Sequence, residues 1–353
     1  MKAMVYHGNK DIRLEDVEEP HPTQGEVKLR IDYCGICATD IEEYMFGPKF
    51  ISTQPNPISG QCIPIITGHE LTGTVVEIGD KAEGVHLQDR VVLDGFIHCN
   101  NCWSCSRGQY SQCMSAATVG FGRNGGLAEY MTWPASNTIV LPSEVESCDA
   151  ALIEPGSVAH HAVMRGQISK DDSVAVLGTG TIGLLSLQIA KTKGATVYAV
   201  DQRAMSLNLA KEVGADGIVN SSITNAKEAI LALTDGTGVD VVIDAAGGPT
   251  TPQLALDLVR RGGKVILVAI YTAQPEFDFN KIVSTETTII GSLGYERSDV
   301  QSMVNLLASC EVKTGPLISD IISLDEVIEV GFRRMLNPTK DFFRILVSGS
   351  EKM

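Results

Sequence analysis

Residues 172–183 read DSVAVLGTGTIG, and this stretch decides the fold of the 353-residue chain. A short apolar, β-branched run ends in Gly178, Thr179, Gly180, Thr181, Ile182 and Gly183, and the residues that follow read as a helix. In such a turn the first glycine makes the tight bend. The second lets the backbone approach a pyrophosphate, and the third lets helix and strand pack closely. The phosphates then meet the positive end of the helix. A lone GxGxxG is weak, but here it follows a strand, opens a helix and heads an alternating series.

Toward the C-terminus, TVYAVD, GIVNS, VDVVIDAAG and GKVILVAI are apolar runs of the kind found in strands buried on both faces. Between them lie the helical stretches TIGLLSLQIAKTKG, RAMSLNLAKEVG and TPQLALDLVRRG, each expected to close on its terminal glycine. Alternating strands and helices predict an α/β fold with a parallel, doubly wound sheet. Asp201 ends the second strand, eighteen residues beyond Gly183. A carboxylate there can accept hydrogen bonds from the adenosine ribose and repel a 2′-phosphate, which predicts NAD rather than NADP. The plainer reading is a solvated acid capping the next helix, and Arg203 nearby keeps NADP open. Val268 and Ile270, in GKVILVAI, are further candidates for the cofactor site.

Toward the N-terminus the character changes. EVKLRIDYCG, LTGTVVEIG, DRVVLDGF and NTIVLP suggest short strands between turn residues. After Gly294 come a helix-like SDVQSMVNLLAS, the run SLDEVIEVGFRRML and a last strand, FFRILV. The length itself favours two domains. A net charge of −15 argues against nucleic acid or an anionic membrane as partner. The first residues lack an apolar signal region, and no apolar run approaches the roughly 18 residues a membrane span needs. A cytoplasmic location is therefore expected, with reduced thiols, so clustered cysteines point to metal.

Cys99, Cys102, Cys105 and Cys113 form such a cluster, C-x2-C-x2-C-x7-C. Four thiolates on one loop can enclose Zn²⁺ with no open position, a structural site. An iron–sulfur cluster is the rival, but the fourth spacing departs from that motif and no proline follows Cys113. The chemistry is then expected elsewhere. Cys37 in YCGICATD, His69 and Glu70 in GHE, and Glu154 in LIEPGSVAHH supply thiolate, imidazole and carboxylate, the mixed donors of a catalytic zinc. Cys34, beside a strand, reads as a buried core thiol.

Taken together, CGICATD, GHE, the four-cysteine lobe, EPGSVA, GTGTIG and FRILV resemble the zinc-dependent medium-chain dehydrogenase/reductase family over essentially the whole chain. Glutamate in LIEP resembles the polyol and diol branch, which holds sorbitol, threonine and 2,3-butanediol dehydrogenases. The insert FGPKFISTQPNPISGQCIPIITGHE and the later GSLGYERSDV resemble the butanediol group most. The resemblance implies a GroES-like catalytic domain over 1–155, with the lobe at 98–113. It implies a Rossmann domain over 156–294 and a return to the catalytic domain over 295–353. It implies NAD and two zinc ions per chain, the catalytic one held by Cys37, His69 and either Glu70 or Glu154. Arg344 falls where relatives carry a base that meets the cofactor's pyrophosphate.

The implied activity is oxidation of a secondary hydroxyl of a vicinal diol or polyol, with threonine or sugar alcohols as alternative substrates. Thr39 would take the hydroxyl proton and hand it to the nicotinamide ribose, and then toward solvent or Glu42. Relatives often carry histidine at that last place, and carboxylic acids ordinarily titrate below imidazoles. A zinc-free enone reductase lacks both metal sets, and a non-catalytic dinucleotide sensor is the remaining alternative. The insert at 46–64 reads as a border of the substrate cleft or as a surface loop. Apolar TTIIGSLG reads as an edge strand, so a homodimer or homotetramer is expected.

Overall fold

The computed structural model describes residues 1–271, 273–337, 339 and 341–349. The expected return segment 295–353 includes Pro338, Lys340 and 350–353, which lie outside the described residues. The chain forms two compact units: Met1–Glu154 with Glu296–Ala308 and Thr314–Met353, and Pro155–Tyr295 with Ser309–Lys313.

In the second unit, six strands carry the runs read from the sequence: Ser173–Leu177, Thr196–Asp201, Gly217–Asn220, Val239–Asp244, Val259–Leu267 and Thr288–Gly291. All pair in parallel, and in chain order they lie 3-2-1-4-5-6 across the sheet. This is a doubly wound sheet with its switch point beside Ser173–Leu177, where a nucleotide crevice forms. Thr288–Gly291 is an edge strand. The glycine expectation holds for two helices. Gly194 and Gly214 follow Thr181–Thr192 and Ala204–Glu212 with φ of +83° and +109°. It fails for the third. That helix stops at Leu258, and the next strand starts at once at Val259. The register against Val239–Val241 slips there, so Arg260–Gly263 bulges, with Gly262 at φ +69°. The pairing of Val259 with Val239 ends the helix before its glycine is reached.

The first unit is built on the strand Glu26–Gly35. It pairs antiparallel with Glu70–Ile78, with Tyr130–Pro134 and with the late strand Arg344–Ser348. Its inward face, Val27, Leu29, Ile31 and Cys34, joins a core with Trp133, Leu127, Phe332 and Ile345. Cys34 is fully buried there, as a core thiol should be. Among the described residues no helix is long and apolar enough to cross a membrane.

Candidate functional site: two groups of metal donors and a dinucleotide turn

Three separate segments meet at one end of the central strand. Gly35, its last residue, stands in register with Glu70 on one side and Leu346 on the other. Ile36 N–H donates to Ile345 O at 3.0 Å. Cys37 follows as N-cap of the helix Ala38–Phe46. Cys37, His69 and Glu70 thereby offer donor atoms all within 4.8 Å of one another. Two glycines make this possible. A Cβ on Gly35 would lie 2.4 Å from Glu70 Oε2. Gly68 holds φ +94°, and a Cβ there would meet Leu127 at 2.7 Å and Cys34 Sγ at 2.8 Å.

Arg344, first residue of the late strand, lies against the same acid: its Nη1 is 3.1 Å from Glu70 Oε2 and donates to Ile36 O at 2.7 Å. Arg344 is buried within the first unit, and the strand that starts at it turns its guanidinium toward Glu70. Glu154 occupies the first turn of the helix Ile153–Gly166, where a carboxylate suits the dipole. It lies outside the three-donor group, yet close enough to feel His69, Glu70 and Arg344. Burial pushes its carboxyl up to about 8, with Glu70 adding to the rise against the pull of His69 and Arg344.

Asp40 was given no role from sequence. It is buried, and its Oδ2 accepts the Cys37 N–H at 2.8 Å. Its Oδ1 stands 3.6 Å from His69 Nδ1, near enough to orient the ring and too long for a hydrogen bond. The signal was present: an acid three residues after a helix N-cap reaches back to the cap's N–H. Burial opposes charge on His69, but Asp40 and Cys37 outweigh it and hold the imidazole well above its ordinary range. A cation among the donors reverses that preference, because ligation needs the free imidazole and thiolate. Asp40 Oδ1, His69 Nδ1 and Glu70 Oε2 make no hydrogen bond; the first two face each other and the third faces Arg344. The mixed thiolate, imidazole and carboxylate donors of Cys37, His69 and Glu70 fit a bound metal. Thr39 Oγ1 lies 3.6 Å from Cys37 Sγ. Glu42 is one helical turn further on, with Lys49 Nζ 3.6 Å from its Oε2.

The second donor group is Cys99, Cys102, Cys105 and Cys113, again within 4.8 Å of one another. The ribbon Phe96–Ile97 with Ala117–Thr118 closes its neck. Ser111 N–H and Oγ–H both donate to Glu296 Oε1, at 3.1 and 2.8 Å. Cys99 Sγ lies 3.6 Å from Cys113 Sγ and 3.9 Å from Cys105 Sγ. A disulfide needs about 2.05 Å. Tetrahedral thiolates ~2.3 Å from one zinc stand roughly 3.8 Å apart. Backbone N–H groups support the sulfurs: Cys99 N donates to Cys113 Sγ and Cys105 N to Cys102 Sγ, each at 3.5 Å. Hydrogen bonding led by the Asn101 backbone lowers Cys99 to about 6, while desolvation and the neighbouring thiols raise Cys105 to about 12. A metal displaces the protons these crowded thiols share.

In the second unit the glycine turn fits a dinucleotide. A Cβ on Gly178 would lie 2.7 Å from Ala246, and one on Gly183 would strike Gly178 O at 1.9 Å. A Cβ on Gly180 would meet nothing within 4 Å, leaving open space for a phosphate above the N-terminus of Thr181–Thr192. Thr179 and Thr181 are buried and Ile182 half-buried. Asp201 Oδ2 accepts from Thr179 N–H at 2.7 Å and Oγ1–H at 3.0 Å. Its Oδ1 accepts the Arg203 N–H at 2.9 Å and faces Arg203 Nε at 3.5 Å. The acid thus clamps the turn. Val268 N–H donates to Asp244 O, just past the strand end, and Ile270 is half-exposed with its carbonyl near Gly247.

Residues 23–143 match the alcohol dehydrogenase GroES-like domain, and residues 181–309 match zinc-binding dehydrogenase. (R,R)-butanediol dehydrogenase of Bacillus subtilis (strain 168) is 35% identical over 350 residues, spanning 98% of this chain and 99% of that one. The chain belongs to the zinc-binding, medium-chain dehydrogenases. Sorbitol dehydrogenase of Halalkalibacterium halodurans is 32% identical, over 92% of this chain and 94% of its own. The X-ray structure of 2R,3R-butanediol dehydrogenase from Bacillus subtilis superposes with a TM-score of 0.91 at 33% identity, covering 98% and 99% of the two chains. As a member of this family the chain is an oxidoreductase whose cofactors are zinc and a nicotinamide dinucleotide.

Proposed function

We propose that the chain oxidises a secondary hydroxyl of a vicinal diol or polyol, of the 2,3-butanediol/acetoin type, with NAD as hydride acceptor. The observation that carries this reading is the group Cys37, His69 and Glu70, set against Arg344 with Glu154 beside it. These residues would hold zinc, which would supply a Lewis acid toward the substrate hydroxyl, and the glycine turn would hold the dinucleotide that supplies the hydride acceptor. Cys37, His69 and one glutamate, Glu70 by the grouping of donors, hold the ion. Asp40 fixes the imidazole. Thr39, in the first turn after Cys37, accepts a hydrogen bond from the substrate hydroxyl and takes up its proton while releasing its own toward Glu42 or solvent. The glutamate that does not ligate would accept a hydrogen bond from the second hydroxyl of a diol, which a monohydric alcohol lacks. Cys99, Cys102, Cys105 and Cys113 hold the second, structural zinc. Asp201 favours NAD by repelling a 2′-phosphate. Two relatives that span more than nine-tenths of the chain carry names for diol and polyol activities, which supports the substrate class.

The test is NADH formation from 2,3-butanediol stereoisomers, sorbitol, xylitol and threonine, and NADH consumption with acetoin, repeated with NADP. The expected result is highest kcat/KM on a butanediol with NAD, and two zinc ions per chain by elemental analysis. Faster turnover of threonine or a sugar alcohol replaces the substrate. A chain without zinc, or without turnover of any of these, sinks the reading.

A further inference from the structure

The helix that begins at Cys37 carries a second buried acid, Glu43, on its far turn. Glu43 is 1% exposed. No cation faces it among the ion pairs of the described residues; the nearby Lys49 ammonium pairs with Glu42 instead. Its carboxylate accepts backbone N–H groups: Lys49 N at 3.0 and 3.1 Å, and Phe50 N at 2.8 Å. A carboxylate taken out of water is costly unless such bonds compensate it, and bonds to a charge are the strong ones. The turn between them is fitted closely. Gly47 N–H donates to Glu43 O at 2.8 Å, and a Cβ on Gly47 would lie 2.6 Å from Glu43 Oε1 and 2.4 Å from Tyr6 Oη. Tyr6, Ile51 and Ile65 then form a small core beneath the turn, with Ile63 and Phe121 against it.

The clamp points at the donor group. Phe50 meets Phe121 edge-on, with centroids 6.0 Å apart. Phe121 lies against the His69 ring at 4.7 Å. Phe50 stays 42% exposed, so its ring presents an apolar face rather than disappearing into the core. One short helix therefore holds the ligand Cys37 at its start and, through Glu43, fixes an aromatic wall that ends on the ligand His69.

We propose that Glu43 is a positioning residue: it fixes Phe50 against Phe121 and so sets the apolar wall beside the metal donors, which selects for the carbon chain of the substrate. This rests on the reading of Cys37, His69 and Glu70 as the site of alcohol oxidation. Two measurements on the full-length holoenzyme separate the two ideas. The first is hydrogen exchange at Lys49 and Phe50. In Glu43→Gln these amides exchange roughly tenfold faster or more, as loss of a charge-assisted bond implies, while both zinc ions remain. The second is KM for 2,3-butanediol relative to 1,2-propanediol, whose missing methyl removes the contact with the wall. The ratio rises roughly tenfold in Phe50→Ala, the scale of one or two methylene contacts. It rises in the same direction in Glu43→Gln, with KM changing more than kcat. In the double variant, Glu43→Gln adds nothing to Phe50→Ala, because it acts through that ring. Unchanged exchange in Glu43→Gln overturns the proposal, and so does an additive double variant. If Glu43→Gln fails to fold, an unchanged KM ratio in Phe50→Ala overturns it alone. If no diol is turned over, the functional reading fails while exchange still decides whether Glu43 fixes the turn.

Discussion

The two donor groups differ in how they are assembled. Cys99, Cys102, Cys105 and Cys113 come from fifteen consecutive residues, and a loop with two short 3-10 turns brings their sulfurs together. Cys37, His69 and Glu70 come from two segments and need a third, Arg344–Ser348, to complete their surroundings. The first group is four alike donors, the number that fills a tetrahedral zinc site, which is a fold-stabilising arrangement. The second mixes donors, sets Arg344 against Glu70 and Asp40 opposite His69, and crowds two glycines against them. Its order is supplied by the strands behind it.

Removing one donor from each group sets them furthest apart. Cys37→Ala should lower kcat by at least about a thousandfold, since several kcal/mol of transition-state stabilisation go with the ion. Zinc should fall from two to one per chain with little change in Tm. Cys105→Ser should also release one zinc, but its signature is stability, with Tm lower by at least about 5 °C. Calorimetry and elemental analysis on both variants check this, and a Cys105→Ser chain with unchanged Tm would erase the distinction between the groups.

A smaller effect is expected from Asp40→Asn, which keeps all three donors and removes the charge facing His69. Metal affinity at the catalytic group should weaken by about 10- to 100-fold, read by chelator competition, with the thiolate group untouched. Equal chelator sensitivity in wild type and variant would show that strand geometry alone orients the ring. Glu42→His should do least: the acid limb of the kcat profile should move toward neutral pH, as imidazoles ordinarily titrate about two units above carboxylic acids. Superimposable profiles would remove Glu42 from the proton path.

Much of this was legible in the chain. The glycine turn, its strand and the two helices closed by Gly194 and Gly214 are local patterns, and each forms where hydrophobic period and turn chemistry place it. Gly262 misled because its helix ends at Leu258, where strand pairing overrides the cap. Asp40 was missed although its spacing from Cys37 marks it as a capping acid. Glu43 carries no sequence signal, since its partners are backbone N–H groups six and seven residues on. The pairing of Arg344 with Glu70 carries no sequence signal, because which acid a buried base meets depends on strand register.

The sequence by itself determined the doubly wound sheet, the dinucleotide turn and the four-thiolate lobe, because each is written within one short segment and needs only local geometry. The tertiary structure decided that Glu70 stands with Cys37 and His69 and that Arg344 faces that glutamate. Those outcomes depend on which residues antiparallel pairing sets opposite one another, and a single chain read in order does not contain its own register.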